Sequence, residues 1–343
     1  MPVAAEVGTG ASEGCQPPRP PFLALLEDFP DLFQKEVLER LDPLDRGMLA
    51  RTGSGVRTAV KSSGLPRVDG SERGPRVSIT SFCQSLSQFV WAIANGCPWL
   101  DTSTCAAIAR GGHLEVLRWA REHGCPWDRG TCMEAARGGH LEVVKWAREG
   151  DCPWGEATCA LAARGGHLEL LQWAREHNCP WGEGTCSNAA EGGNMEVLKW
   201  AREHGCEWAA DTCTSAASGG QLEVLRWLRE HSCPWDEETC TMAAERGHLE
   251  LLKWAREHGC PWEADTCGYA ATIGHLEMLR WARQHGCEWC AWTCANAAVN
   301  GHLELLRWAR EHDCPWDEKT CHCAAVGGHL KTLRWAVEHG CPW

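Results

Sequence analysis

Cysteine occurs 23 times and histidine 16 times in 343 residues. Thiols and imidazoles at short spacing suggest two chemistries, a tetrahedral zinc site or a thiolate nucleophile activated by histidine. His123 lies two residues before Cys125, and Cys132 follows seven later. Zinc needs four convergent ligands, yet 27 residues on, Gly150 stands where His123 stood. Histidines that follow glycine, at 113, 140, 167, 248, 275, 302 and 329, give way to Asn194 and Gln221 at the same spacing. That suits a loop hydrogen bond and not a ligand. A His–Cys pair that recurs in nearly every interval is architecture, and no acid–base or nucleophile set stands apart from it. No enzyme, catalytic residue or cofactor is therefore expected. The densest thiol cluster is Cys287, Cys290 and Cys294 with Cys321 and Cys323; a metal- or redox-responsive role for it is the alternative to no metal at all.

The elements that must hold these residues repeat. Cys-Pro-Trp begins at 97, 125, 152, 179, 233, 260, 314 and 341, with Cys-Glu-Trp at 206 and 287. A Thr-Cys pair ends at 105, 132, 159, 186, 213, 240, 267, 294 and 321, always 27 apart. Of the 23 cysteines, 19 occupy these two positions. Without an apolar leader in residues 1–20 to suggest secretion, reduced packed thiols are the reading, since cysteine behaves as a small hydrophobe. Tryptophan occurs 21 times against five Phe and one Tyr. Each unit carries one Trp after the Cys-Pro and one in its second half, which reads as ladders along a stack.

Each unit predicts two short helices. Thr131 is read as the cap of the first, Ala135 and Ala136 let neighbouring helices approach, and Gly138-Gly139 ends it. The second is expected from about Leu141 to Glu149, with Gly124 and its equivalents turning at its end and Pro126 preventing continuation. Arg118 and Glu122 are spaced for an i,i+4 ion pair. One such pair of helices cannot bury its apolar face, but a stack can.

The unit resembles the ankyrin repeat. Thr239-Cys240-Thr241-Met242-Ala243-Ala244-Glu245-Arg246-Gly247-His248-Leu249-Glu250 is similar to that family's Thr-x-x-x-Ala-Ala-x-x-Gly-His-Leu-Glu core. Two departures stand out: the residue after Thr is Cys where the family has Pro, and the period is 27 where ankyrin repeats take about 33. The shortfall falls in the turn between Trp235 and Thr239. The expected fold is all-α, an ankyrin-like solenoid of stacked helix pairs with little or no β-hairpin. Nine units are read over 100–343, with 80–99 as an N-terminal capping half-repeat and His322, Lys331, Thr332 and Val337 as departures suited to a terminal cap.

Such a fold implies a non-catalytic scaffold that binds partner proteins, and the resemblance places the first helices on its concave face. The informative positions are those that vary. Two after the repeat Cys stand Ala107, Glu134, Leu161, Asn188, Ser215, Met242, Tyr269, Asn296 and Cys323; three further on stand Arg110, Arg137, Arg164, Glu191, Ser218, Glu245, Thr272, Val299 and Val326. This strip reads as basic, then polar to acidic, then apolar, with Met242 and Tyr269 as anchors. Drift of a neutral surface is the competing reading.

Residues 1–20 are expected to be disordered and 63–79 to form a linker. Residues 21–62 resemble a degenerate F-box: Phe29-Pro30, Leu32, Val37-Leu38, Leu41-Asp42-Pro43-Leu44-Asp45 and Leu49-Ala50-Arg51. The late aromatic of many F-boxes is missing. The resemblance implies docking onto the adaptor of a cullin-type ubiquitin ligase through Phe29, Pro30, Leu32, Val37, Leu38, Leu41, Pro43 and Leu49; the alternative is a small helical cap over the array's first apolar edge.

The formal charge is −13, from 46 acidic and 33 basic residues. An acidic array is a poor partner for nucleic acid or an anionic membrane, and no stretch approaches the length of a bilayer span. A monomeric, intracellular protein of cytoplasm or nucleus is expected.

Overall fold

Helices of nine residues do not persist alone in water, and this chain makes them in pairs. The structure, a computed structural model, describes residues 82–94 and 99–343. The leader, F-box-like and linker readings over 1–79 lie outside the described residues. Helix Leu86–Ala94 stands before the array; its Phe89 is buried, and the rings of Phe82 and Trp91 meet at 5.8 Å.

From 102 onward the described residues hold nine helix pairs and no strand. The first helices are Thr102–Arg110, Arg129–Arg137, Glu156–Arg164, Glu183–Glu191, Ala210–Ser218, Glu237–Glu245, Ala264–Thr272, Ala291–Val299 and Glu318–Val326. The second helices are Leu114–Glu122, Leu141–Glu149, Leu168–Glu176, Met195–Glu203, Leu222–Glu230, Leu249–Glu257, Leu276–Gln284, Leu303–Glu311 and Leu330–Glu338. The pairs are numbered as units one to nine. The array is an all-α solenoid, as the repeat implied.

The start of the first helix corrects one expectation. Asp128, not Thr131, is the N-cap: its carboxylate accepts from Gly130 N–H at 2.8 Å. Thr131 lies inside the first turn, buried, its N–H held by the Asp128 carbonyl at 3.1 Å. Asp236 and Asp317 cap in the same way, and Asp101 accepts one residue further on, from Thr104 N–H. The helix ends as read, with Gly138 as C-cap and Gly139 at φ 76°. After the second helix the chain turns left-handed at Gly124 (φ 87°), but Asp151, Asn178, Ser232 and Asp313 take that position elsewhere at φ 58–64°.

Small residues set the spacing of the stack. Ala135 and Ala136, and their equivalents through unit eight, are fully buried, and successive first helices pack directly on one another. A Cβ on Gly219 would come within 2.1 Å of the Glu191 carbonyl oxygen of the preceding unit, so glycine permits that approach. Between the rows lie Leu117, Val144, Leu171, Leu198, Leu225, Leu252, Leu279 and Leu306, all fully buried. Each such side chain contributes about 1.5–3 kcal/mol.

The polar residues of the consensus tie one unit to the next. Cys152, Cys206 and Cys260 donate their thiol hydrogens to the carbonyls of Asp128, Gly182 and Asp236, each at 3.3 Å and 24 residues back. His140 Nε2 meets the Arg110 carbonyl at 2.9 Å, and His302 Nε2 that of Thr272 at 3.0 Å. Asn194 does the same work with Nδ2, donating to Arg164 O at 2.7 Å and Ala163 O at 2.9 Å. That is why histidine and asparagine exchange at this position.

The tryptophans form the expected ladder. Each turn Trp meets the second-helix Trp of the next unit, from Trp99–Trp119 to Trp316–Trp335, with ring centroids 5.5–6.0 Å apart. An arginine clamps each inter-helix turn: Arg202 donates to Cys206 O at 2.7 Å while its guanidinium lies 3.9 Å from the centre of Trp208. The Arg118–Glu122 ion pair does not form. Arg118 instead reaches the ring of Trp146 in the next unit, at 5.8 Å.

Candidate functional site

The consensus residues are thus engaged within the stack, and the variable positions of the first helix are where units differ. The structure places three of them on one stripe at i, i+4 and i+7. The sequence strip supplies two columns, Ala107 to Cys323 and Arg110 to Val326. A third stands four residues before the first of these: Ser103, Gly130, Ala157, Gly184, Asp211, Glu238, Asp265, Trp292 and Lys319. Apart from Gly130, every member of that third column is exposed. Sequence reasoning missed it, although a signal was available. Nineteen of the 21 tryptophans fill the two repeat positions, and Trp292 is the one inside the array that does not.

The basic end of the strip is internally neutralised. Glu134 faces Arg110 at 3.7 Å and Arg137 at 3.5 Å, and Arg164 reaches Glu191 of the next unit at 2.5 Å. These arginines are half or more exposed or nearly so, and each pair contributes only about 0–1 kcal/mol. Asn188 Nδ2 donates to Gly184 O at 2.8 Å, and Thr272 Oγ1 to Gly268 O at 3.1 Å. Ser215, Met242, Thr272 and Val299 are half-buried. Leu161 and Asn296 are each only 9% exposed; Asn296 Nδ2 donates to Gly268 O at 3.2 Å, which makes it a strut between units seven and eight.

The middle of the stripe is acidic. Asp211, Glu238, Glu245 and Asp265 fall in units five to seven, and Arg246 lies 4.0 Å from Glu245. Burial, followed by Asp236, Glu245, Glu237 and Asp265, holds the Glu238 carboxyl above its usual range. Beyond it Tyr269 and Trp292 meet edge to face, 5.8 Å apart at 89°. Trp292 is 44% exposed.

The densest cysteine cluster separates in space. As free thiols, Cys287 shares a hydrogen bond with Cys267, Cys294 with Cys314 and Cys321 with Cys341, while Cys290 is exposed and Cys323 half-buried. The hydrogen bond with Cys260 and burial together push the Cys240 thiol far up. Among the described residues no three His, Cys, Asp or Glu side chains converge as metal ligands. Two open depressions of about 490 and 640 Å³ lie on the turn row; the first is lined by Arg310, Trp316, Trp335 and His339, which already belong to the ladder. No described helix is long and apolar enough to cross a membrane.

Comparison with known proteins finds no matching family model and no matching curated protein. Among solved structures, the human ASB11 ankyrin repeat domain is similar at 17% identity and a TM-score of 0.37, over 46% of this chain and 84% of that one.

Proposed function

We propose that this protein is a non-catalytic scaffold that binds partner proteins along the first-helix stripe. The observation that carries the reading is the division of labour within each unit. Cys, His and Trp of the consensus contact neighbouring units and Arg clamps its own turn, while the stripe positions change from Arg110 through Glu191 to Tyr269. The direct packing of successive first helices supports assigning this row to the inner, concave side. An extended surface with varied side chains and no catalytic set suits recognition of another polypeptide.

A random dodecapeptide library selected on the full chain tests this. Bound peptides are expected to lose affinity with Arg164→Ala or Met242→Ala and to ignore Glu223→Gln on a second helix. Peptides indifferent to every stripe substitution would remove the assignment.

A second reading rests on Phe29-Pro30, Val37-Leu38 and Leu41 to Asp45: the array selects substrates for a cullin-type ligase whose adaptor docks on residues 22–62. Co-purification of the full chain with that adaptor, lost in a Leu38→Asp variant, is the expected result; no binding by the full chain would leave the scaffold alone.

A further inference from the structure

The array supplies nearly every turn tryptophan with a cation of its own. From Trp127 to Trp316, eight successive turn rings carry an arginine guanidinium 3.9–4.5 Å from the ring centre. Trp292 is as exposed as an aromatic gets in this array short of its last residue, yet among the described residues no arginine or lysine lies over it. On its N-terminal side the column is acidic instead. Its column holds Asp211, Glu238 and Asp265 in the three preceding units.

The neighbouring units also depart from the consensus in concert around this ring. Gly268 removes a side chain where a Cβ would stand 2.9 Å from the Trp292 ring. Tyr269 buttresses it edge to face, and Asn296 fastens the two units through Gly268 O. Substitutions that accommodate one exposed ring across two units do not read as neutral drift.

We propose that Trp292, Tyr269 and the carboxylates of Asp265 and Glu238 form a docking site for a basic segment of a partner protein, a lysine or arginine side chain seating against Trp292. The inference rests on the scaffold reading above and adds the partner's chemistry. An ammonium or guanidinium over an indole gains from the ring quadrupole, and flanking carboxylates strengthen the attraction. Burial and then the neighbouring carboxylates raise Glu238, and a cation relieves the repulsive part. Lys319 follows Trp292 in the column, and Val299 and Val326 lie beside that end of the stripe. The partner's basic residues therefore face the carboxylates of units five to seven and Trp292 of unit eight, and its apolar residues face Val299 and Val326.

The same dodecapeptide selection, run on the full chain, tests the idea. Recovered peptides should be enriched in Lys and Arg, followed or preceded by apolar residues. Measured by anisotropy of a labelled consensus peptide, Trp292→Ala should weaken binding about tenfold. Asp265→Asn and Glu238→Gln should each weaken it severalfold and flatten its salt dependence. These surface changes leave the buried rows untouched, and circular dichroism confirms folding of each variant. Peptides that depend on Arg164 or Met242 but are not basic, or that ignore Trp292→Ala and Asp265→Asn, would overturn this inference and leave the scaffold standing. Peptides insensitive to all stripe substitutions would overturn both.

Discussion

Replacing Arg202 by alanine isolates what holds a turn between units. Its guanidinium donates to Cys206 O at 2.7 Å and lies 3.9 Å from the Trp208 ring centre. A hydrogen bond involving a charged group contributes about 1.5–3 kcal/mol, and a partly exposed cation–π contact about 0.5–1 kcal/mol. One side chain makes both, and water recovers part of the loss at the carbonyl, so a net cost of about 2 kcal/mol is expected. The loss is local, because each repeat contacts only its neighbours. Hydrogen exchange reads it directly. Cys206 N–H is held by Ala201 O at 2.9 Å, and exchange across 203–209 should accelerate about thirtyfold, the rate equivalent of that cost. Units one and nine should be unchanged. Arg202→Lys, which keeps charge without the planar fork, should fall between. Acceleration of less than about threefold in Arg202→Ala would refute the clamp, since neither contact would then carry its assigned share.

Three further outcomes follow from the same geometry. His140→Ala should lower stability by about 1 kcal/mol in chemical denaturation through loss of the bond to Arg110 O, while His140→Asn, copying Asn194, should cost much less. Ser232 sits at φ 62°, so Ser232→Gly should gain about 0.5 kcal/mol and Ser232→Val lose about 1–2 kcal/mol, measured by the same denaturation. For Glu238 the folded carboxyl holds its proton to higher pH than the unfolded chain. The fold is therefore favoured while that group is protonated and loses this advantage as pH rises through the raised value. Glu238→Gln should melt higher than the parent at neutral pH, with the difference closing in acid; an unchanged or lower melting temperature would count against the acidic cluster.

Much of the array was legible because its signals are local. Gly138-Gly139 and Gly124 bound the helices where expected, and Leu141–Glu149 is the second helix as read. Thr131 misled because it is invariant among the units, whereas the true cap position holds Asp only in units one, two, six and nine. Arg118 misled for a different reason. Spacing within a helix shows Glu122, but the competing Trp146 arrives from the next unit. The thiol donors of Cys152 and Cys206 were hidden because their acceptors are carbonyls, which every residue possesses. Trp292 escaped because the variable columns were counted forward from the repeat Cys and not back from it, although the tryptophan count pointed to it. Stacking decides which side chains meet, and stacking is not written in a single unit.

The central claim is that recognition belongs to the first-helix stripe. A photo-crosslinking amino acid placed at exposed Asp211 on the stripe, and separately at exposed Glu223 on a second helix, tests it most directly in cells producing the full chain. Discrete protein adducts at position 211 and none at 223 are the predicted result. Adducts at 223 alone would contradict the account and move the binding surface to the tryptophan ladder.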